Sequence, residues 1–213
     1  ERFIFVIFRI SRFFSTFKNS KFYSLAKKFK NQEISISEIN QEINQIKKEN
    51  ENINAFKEWI LPKFNNADGY YSWNALRYIL FEYELFLKNN KGRNEDKIDW
   101  KAFVESKKDY ISIEHIFPQS KIKNKKDKVR CHTIGNLVPL SIAINSKLQD
   151  NDFSEKRERY KEGSLSEREI YDNYSDWDEK TIKNRGLKLL EFISKRWDID
   201  LKDEEFKLGL LGF

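Results

Sequence analysis

The sequence predicts a mainly α-helical α+β protein that carries one small strand–loop–strand–helix insert. Three observations lead there. Apolar residues recur at helical spacing through most of the chain. The period changes at Tyr110-Ile111-Ser112-Ile113-Glu114-His115-Ile116, a short β-branched run with the character of a strand. A second such run, Thr133 to Leu140, follows and is entered by a turn at Gly135.

The elements follow in order. Residues 1 to about 31 read as one or two helices, with Phe3, Ile4, Val6, Ile7, Ile10, Phe13, Phe14 and Phe17 on an apolar face and Arg9 and Arg12 opposite. That spacing predicts that the aromatics of the first helix are buried rather than stacked on bases. Asn19-Ser20 marks a break before Phe22 to Phe29. Ser37 then reads as a cap ahead of Glu38, Ile39, Ile43 and Ile46. A short helix from Ala55 to Phe64 has Pro62 near its end, and Asp68-Gly69 is a turn. Ser72 is a candidate cap for the helix that holds Trp73, Leu76, Ile79, Leu80, Tyr83, Leu85 and Phe86. Asn89 to Asp96 is polar, contains Gly92, and is the best boundary, dividing a helical region at 1–95 from a second region at 96–213. Within the latter, Lys121 to Arg130 reads as a polar, basic loop between the two strands. Ser141 caps a helix from about Ile142 to Leu148, Phe153 to Lys161 is helical, and a long helix runs from Glu179 to Trp197.

Composition narrows the function. Charged residues make up 35% and aromatics 15%, a mixture that builds a core beneath a charged surface. The net charge of +6 favours an anionic partner such as nucleic acid or a membrane surface. Cys131 is the sole cysteine, which excludes a disulfide within the chain and paired zinc knuckles, and suits a reducing, cytoplasmic compartment. The apolar stretch from Phe3 to Phe17 is interrupted by Arg9 and Arg12. It falls short of the ~20 residues a bilayer requires and lacks a signal-peptide cleavage pattern, so no membrane partner is expected. The chain begins at Glu1 and has no methionine, which reads as a fragment of a longer polypeptide.

Four polar residues fall at the corners of the insert: Glu114 and His115 ending the first strand, Asn136 at the second, and Asn145 on the helix after it. This is the layout expected for phosphodiester hydrolysis with one metal ion. A neutral imidazole can deprotonate water near neutral pH. A divalent cation neutralises charge on the phosphorus and the leaving oxygen. Hard oxygen donors such as the Glu114 carboxylate and the Asn145 amide suit magnesium. Neighbours on a regular strand face opposite ways, so Glu114 and His115 converge only if the strand bends or ends there, as Pro118 allows.

The run Ile113-Glu114-His115-Ile116-Phe117-Pro118-Gln119, then Ile134-Gly135-Asn136-Leu137, Asn145-Ser146 and Phe153-Ser154-Glu155-Lys156-Arg157, resembles the HNH nuclease domain of GmrSD-type restriction proteins. Trp177, Ile182, Arg185, Leu189 and Trp197 are similar to that family's C-terminal helical signature, and Leu80-Phe81-Glu82-Tyr83 to its helical lead-in. The resemblance implies a ββα-metal (His-Me finger, HNH) insert at about 109–157. It implies His115 as general base, Glu114 and Asn145 as ligands of one Mg2+ or Mn2+, and Asn136 as a brace that orients His115 without touching metal. It also implies DNA as substrate, restriction of foreign and modified phage DNA, and an N-terminal ParB-like, nucleotide-dependent sensing domain in the same full-length polypeptide or complex, to which residues 1–95 would lead.

Other readings stay open beside these. His132 reads as a phosphate contact, an auxiliary metal ligand or a structural histidine, and Cys131 as a small buried residue. Asn136 also suits a turn cap after Gly135, and Asn151 competes with Asn145. Lys121, Lys123, Lys125, Lys126, Lys128 and Arg130 form a solvated loop or a DNA-backbone contact, with Lys147, Lys156 and Arg157 as further phosphate candidates. A degenerate, inactive DNA-binding module that positions a partner domain is the alternative to an endonuclease. A nuclease acting on RNA is a third reading.

Overall fold

The computed structural model describes residues 1–91, 98, 101, 103, 113–140 and 151–213. Two compact units emerge, one of Glu1–Trp59 with Ser194–Leu201, the other of Ile60–Ile193 with Lys202–Phe213. Both are dominated by helices, and the second contains a two-stranded sheet. No helix among the described residues is long and apolar enough to cross a membrane.

The first unit opens with helix α1 (Arg2–Ile4), which widens into a π-helical turn over Phe5–Ile10; α2 (Asn19–Lys30), α3 (Ile36–Asn50) and α4 (Ile53–Ile60) follow. Phe3, Ile7 and Ile46 are buried together, with Phe8, Phe17, Phe22 and Ile43 packed against them. Phe5 stacks on Trp197 with ring centroids 4.0 Å apart. The buried Lys47 ammonium donates to the carbonyls of Trp197 (3.3 Å) and Asp198 (2.6 Å), placing a cation where a helix C-terminus presents orphan carbonyls.

Two expectations change here. The first helical segment stops at Ile10 instead of running through Phe17, because Arg12 adopts a left-handed φ of 63°. Beyond that break Phe13 and Phe14 are 36% and 86% exposed, so the aromatics of this stretch do not all enter the core. The cap of α3 is Ser35 rather than Ser37. Ser35 Oγ accepts from Glu38 N at 3.2 Å while the Glu38 carboxylate accepts from Ser35 N at 2.8 Å. This reciprocal box requires serine and glutamate three residues apart, a spacing Ser37 does not have.

In the second unit come α5 (Lys63–Asn66), a 3-10 turn at Gly69–Ser72, α6 (Leu76–Lys91), strand β1 (Ile113–His115), a 3-10 turn at Gln119–Lys121, and α7 (Lys125–His132). A third 3-10 turn, Ile134–Asn136, feeds strand β2 (Leu137–Pro139). Then follow α8 (Phe153–Tyr160), α9 (Leu165–Asn173), α10 (Glu179–Trp197) and α11 (Glu204–Leu210). β1 and β2 pair antiparallel, with Ile113 opposite Pro139, Glu114 opposite Val138 and His115 opposite Leu137. Beneath the hairpin lies an apolar cluster of Ile116, Val138, Leu140, Tyr160, Ile170, Trp177 and Ile182.

The stretch from Lys121 to Arg130, expected as a loop, is largely helical. Asn124 Oδ1 caps α7 by accepting from Asp127 N at 3.0 Å, and Val129 and Cys131 supply its buried side. Ser72 closes the 3-10 turn by donating to Gly69 O, and α6 starts only at Leu76. The expected strand residues 110–112, the helix at 142–148 and most of the 89–96 boundary lie outside the described residues.

Candidate active site

β1 is a strand only as far as His115, the strand end its sequence required. Ile116 N still donates to Asn136 O at 3.1 Å, and the chain then turns out at Pro118. Asn136 holds that turn. Its Oδ1 accepts from Phe117 N (2.7 Å) and Trp177 Nε1 (2.9 Å), and its Nδ2 donates to Phe117 O (3.0 Å) and Cys131 O (2.9 Å). A fully buried amide with two donors and two acceptors is thus saturated, and it locks the segment after His115 to α7 and to the lead of α10.

The turn that carries Asn136 is set by α10. A Cβ on Gly135 would lie 2.2 Å from Ile182 O, so only glycine lets the turn approach the helix this closely. From the same helix the buried Arg185 Nη1 donates to Gly135 O (2.8 Å) and Leu137 O (2.9 Å). Trp177 and Arg185, marked in the sequence only by resemblance, are therefore the side chains that clamp the hairpin.

Glu114 and His115 are both buried. The Glu114 carboxylate receives the Lys156 ammonium at 2.5 Å, and that ammonium also donates to His115 O (2.9 Å) and Ile116 O (3.2 Å). Three oxygen acceptors around one fully buried cation satisfy a charge that would be costly alone. Burial raises the Glu114 carboxyl above its ordinary range, and the charge of Lys156 opposes that rise.

His115 lies in a second polar cluster. Its Nε2 is 3.3 Å from His132 Nδ1, and the Gln119 amide nitrogen is 3.5 Å from the same atom. The Tyr71 ring packs against it at 4.6 Å between centroids. His132 Nε2 in turn faces Asp68 Oδ1 at 3.5 Å. Burial, then the neighbouring His132 and Lys156, push the His115 imidazole down to about 3. Burial also lowers His132, against the pull of Asp68. Burial thus favours the neutral form of both rings, and the facing nitrogens can share one ring proton. Cys131 Sγ joins the cluster: one ligand atom from each of His115, Cys131 and His132 lies within 4.8 Å of the others.

The cluster thus includes residues whose sequence signal was slight. Asp68 and Tyr71 lie far upstream and were legible only as a turn and the segment after it. Gly69 makes their approach possible, because a Cβ there would stand 2.9 Å from His132 O.

The basic candidates separate. Lys123 and Lys125 are exposed. Lys121 pairs with Asp152, and Lys126 lies 3.8 Å from Glu179. Lys128 donates to Asn65 O at 3.1 Å. Arg130 donates to Glu179 from Nε and Nη2, at 2.9 and 2.6 Å. Arg157 caps the carbonyls of Tyr171 (2.8 Å) and Tyr174 (2.7 Å). Lys156, expected at DNA phosphate, is turned inward onto Glu114 and has no exposed surface. Asn145 and Lys147 lie outside the described residues.

The fold and site define a mainly helical α+β protein whose polar centre, a buried histidine pair beside a carboxylate–lysine pair, is carried on an antiparallel hairpin. Residues 54–192 match the family described as GmrSD restriction endonucleases, C-terminal domain, and the chain belongs to that family. No curated protein and no solved structure matches it. Membership gives the chain a restriction-endonuclease-related role.

Proposed function

We propose that this chain is a metal-dependent DNA endonuclease of the HNH type, hydrolysing phosphodiesters in foreign DNA, phage DNA with modified bases or backbones included. The observation that carries the reading is His115 at the end of β1, with the backbone that follows it held by the saturated Asn136 amide. His115 takes the proton of the attacking water as an unprotonated imidazole. Asn136 fixes the backbone that follows His115, and Asp68 faces the His132 ring that lies against His115. Glu114, with Asn145, would hold one Mg2+ or Mn2+. The carboxylate suits a hard cation, and its present partner is itself a cation, so the donor chemistry fits. When bound, such an ion supplies charge neutralisation at the phosphorus and the leaving oxygen. The setting proposed is cytoplasmic, beside a ParB-like, nucleotide-dependent sensing domain of the same polypeptide or complex.

The test is plasmid cleavage in Mg2+ or Mn2+ by the chain and by His115→Ala, with binding to the same DNA followed in parallel. Cleavage is expected to vanish in the variant while binding persists; undiminished cleavage would remove His115 from the chemistry. The Lys156–Glu114 pair favours a second reading, an inactive DNA-binding module in which lysine has replaced the metal permanently. Cutting by the unaltered chain in either metal excludes that reading.

A further inference from the structure

The geometry points to a thiolate-containing site for a soft divalent cation, Zn2+, built from His115 Nε2, His132 Nδ1 and Cys131 Sγ. This site is distinct from the oxygen site assigned to Glu114 and Asn145. Tetrahedral zinc with Zn–N of 2.0–2.1 Å and Zn–S of about 2.3 Å sets its ligands about 3.3 Å (N···N) and about 3.6 Å (N···S) apart. The two ring nitrogens already stand 3.3 Å apart, and the set as a whole closes within 4.8 Å. That limit exceeds the tetrahedral N···S spacing by about 1.2 Å, which side-chain adjustment can close.

The surroundings match what a zinc ligand set requires. A metal-bound histidine ordinarily donates its other ring N–H to a carboxylate, which turns the lone pair toward the ion. Asp68 stands in that position toward His132 Nε2, at 3.5 Å. All three ligand residues are buried, so the ion would lose most competing water; tetrahedral coordination by three protein ligands leaves one position for water. Two imidazoles and a thiolate select zinc over magnesium by ligand softness.

Binding is balanced in protons. The Cys131 thiol gives up one proton to solvent on forming the Zn–S bond. Ligation through His115 Nε2 and His132 Nδ1 leaves each ring neutral with its one proton on the other nitrogen. His115 then has no free lone pair for water activation, so zinc occupancy shuts the nuclease off. The shut-off rests on the nuclease reading; the binding does not.

The test is titration of the chain with Co2+, which reports thiolate ligation as a near-ultraviolet sulfur-to-cobalt charge-transfer band. One equivalent is expected to saturate the band and Zn2+ to abolish it. Calorimetry in two buffers of different ionisation enthalpy should count one proton released. Cys131→Ser should lose the band, His132→Gln should weaken it, and Asp68→Asn should reduce affinity about 10-fold or more through loss of the orienting carboxylate. The chain's far-ultraviolet dichroism and melting curve check that each variant is folded. If Cys131→Ser does not fold, His132→Gln decides alone. Absence of the band, or a band that folded Cys131→Ser and His132→Gln both retain, overturns the site. Because no readout involves DNA, failure here and failure of the cleavage test are separate results.

Discussion

At the scale of single residues, the centre of the molecule is governed by Lys156. A buried ammonium and a buried carboxylate are each expensive outside water, and together they are tolerable only because His115 O and Ile116 O complete the lysine's coordination. Removing one partner leaves the other charge stranded, at a cost of about 3–5 kcal/mol. Lys156→Met should therefore lower the melting temperature markedly in metal-free buffer. If Glu114 is a ligand of the proposed ion, Mg2+ takes over the lysine's electrostatic part and restores stability as its concentration rises, following the usual linkage of binding to folding. Thermal melts of both proteins across a Mg2+ series should show a larger upward shift in the variant. Equal shifts would mean that Glu114 does not bind the ion. The role of Lys156 was invisible in the sequence, where a lysine beside an arginine on a charged helix reads as a surface cation. Only the approach of α8 to β1 turns it inward.

At the scale of elements, the hairpin and its clamps were partly legible. β1, β2, α8 and α10 appear where β-branched runs and helical periodicity put them, because these segments carry their own local signals. The helix α7 reads as a loop because its four Lys and Arg residues mask a thin apolar stripe, and its cap, Asn124, falls within the same polar run. The tie between α6 and α9 was missed for a different reason: it is a tertiary contact across 81 or more residues. There the Glu84 carboxylate accepts from Leu165 N (2.9 Å) and Ser166 N (2.7 Å) at the first turn of α9. Burial raises this carboxyl to about 7 from its ordinary 4.5, and the N–H donors pull the other way without prevailing. A carboxyl whose folded value lies above its unfolded one binds its proton more tightly in the native state. Its contribution to stability is complete below about pH 4.5 and is lost as pH rises through about 7. Glu84→Gln, which does not titrate, should flatten the fall in urea midpoint across that window. Identical slopes for the two proteins would show that Glu84 does not titrate there.

At the scale of the whole molecule, the excess of six positive charges is the property that would draw the proposed nuclease to DNA. The sequence supplied that excess but not its distribution. Arg130 and Arg157 are spent on Glu179 and on backbone carbonyls, which geometry imposes and composition cannot reveal. Of the described basic candidates between the strand bearing His115 and the turn bearing Asn136, Lys123 and Lys125 are exposed without the carboxylate partners that face Lys121 and Lys126. Each phosphate neutralised on duplex DNA contributes about 0.9 to the fall of log K with log salt concentration. The double variant Lys123→Ala/Lys125→Ala should thus bind more weakly at low salt and lose about 1.8 from that slope. Fluorescence anisotropy with a labelled duplex over a salt series measures both. Lysines on α2, such as Lys27 and Lys28, are also exposed and offer the contrast. If their removal flattens the slope while the Lys123/Lys125 pair leaves it unchanged, the DNA backbone is met by the first unit and the hairpin reaches its substrate some other way.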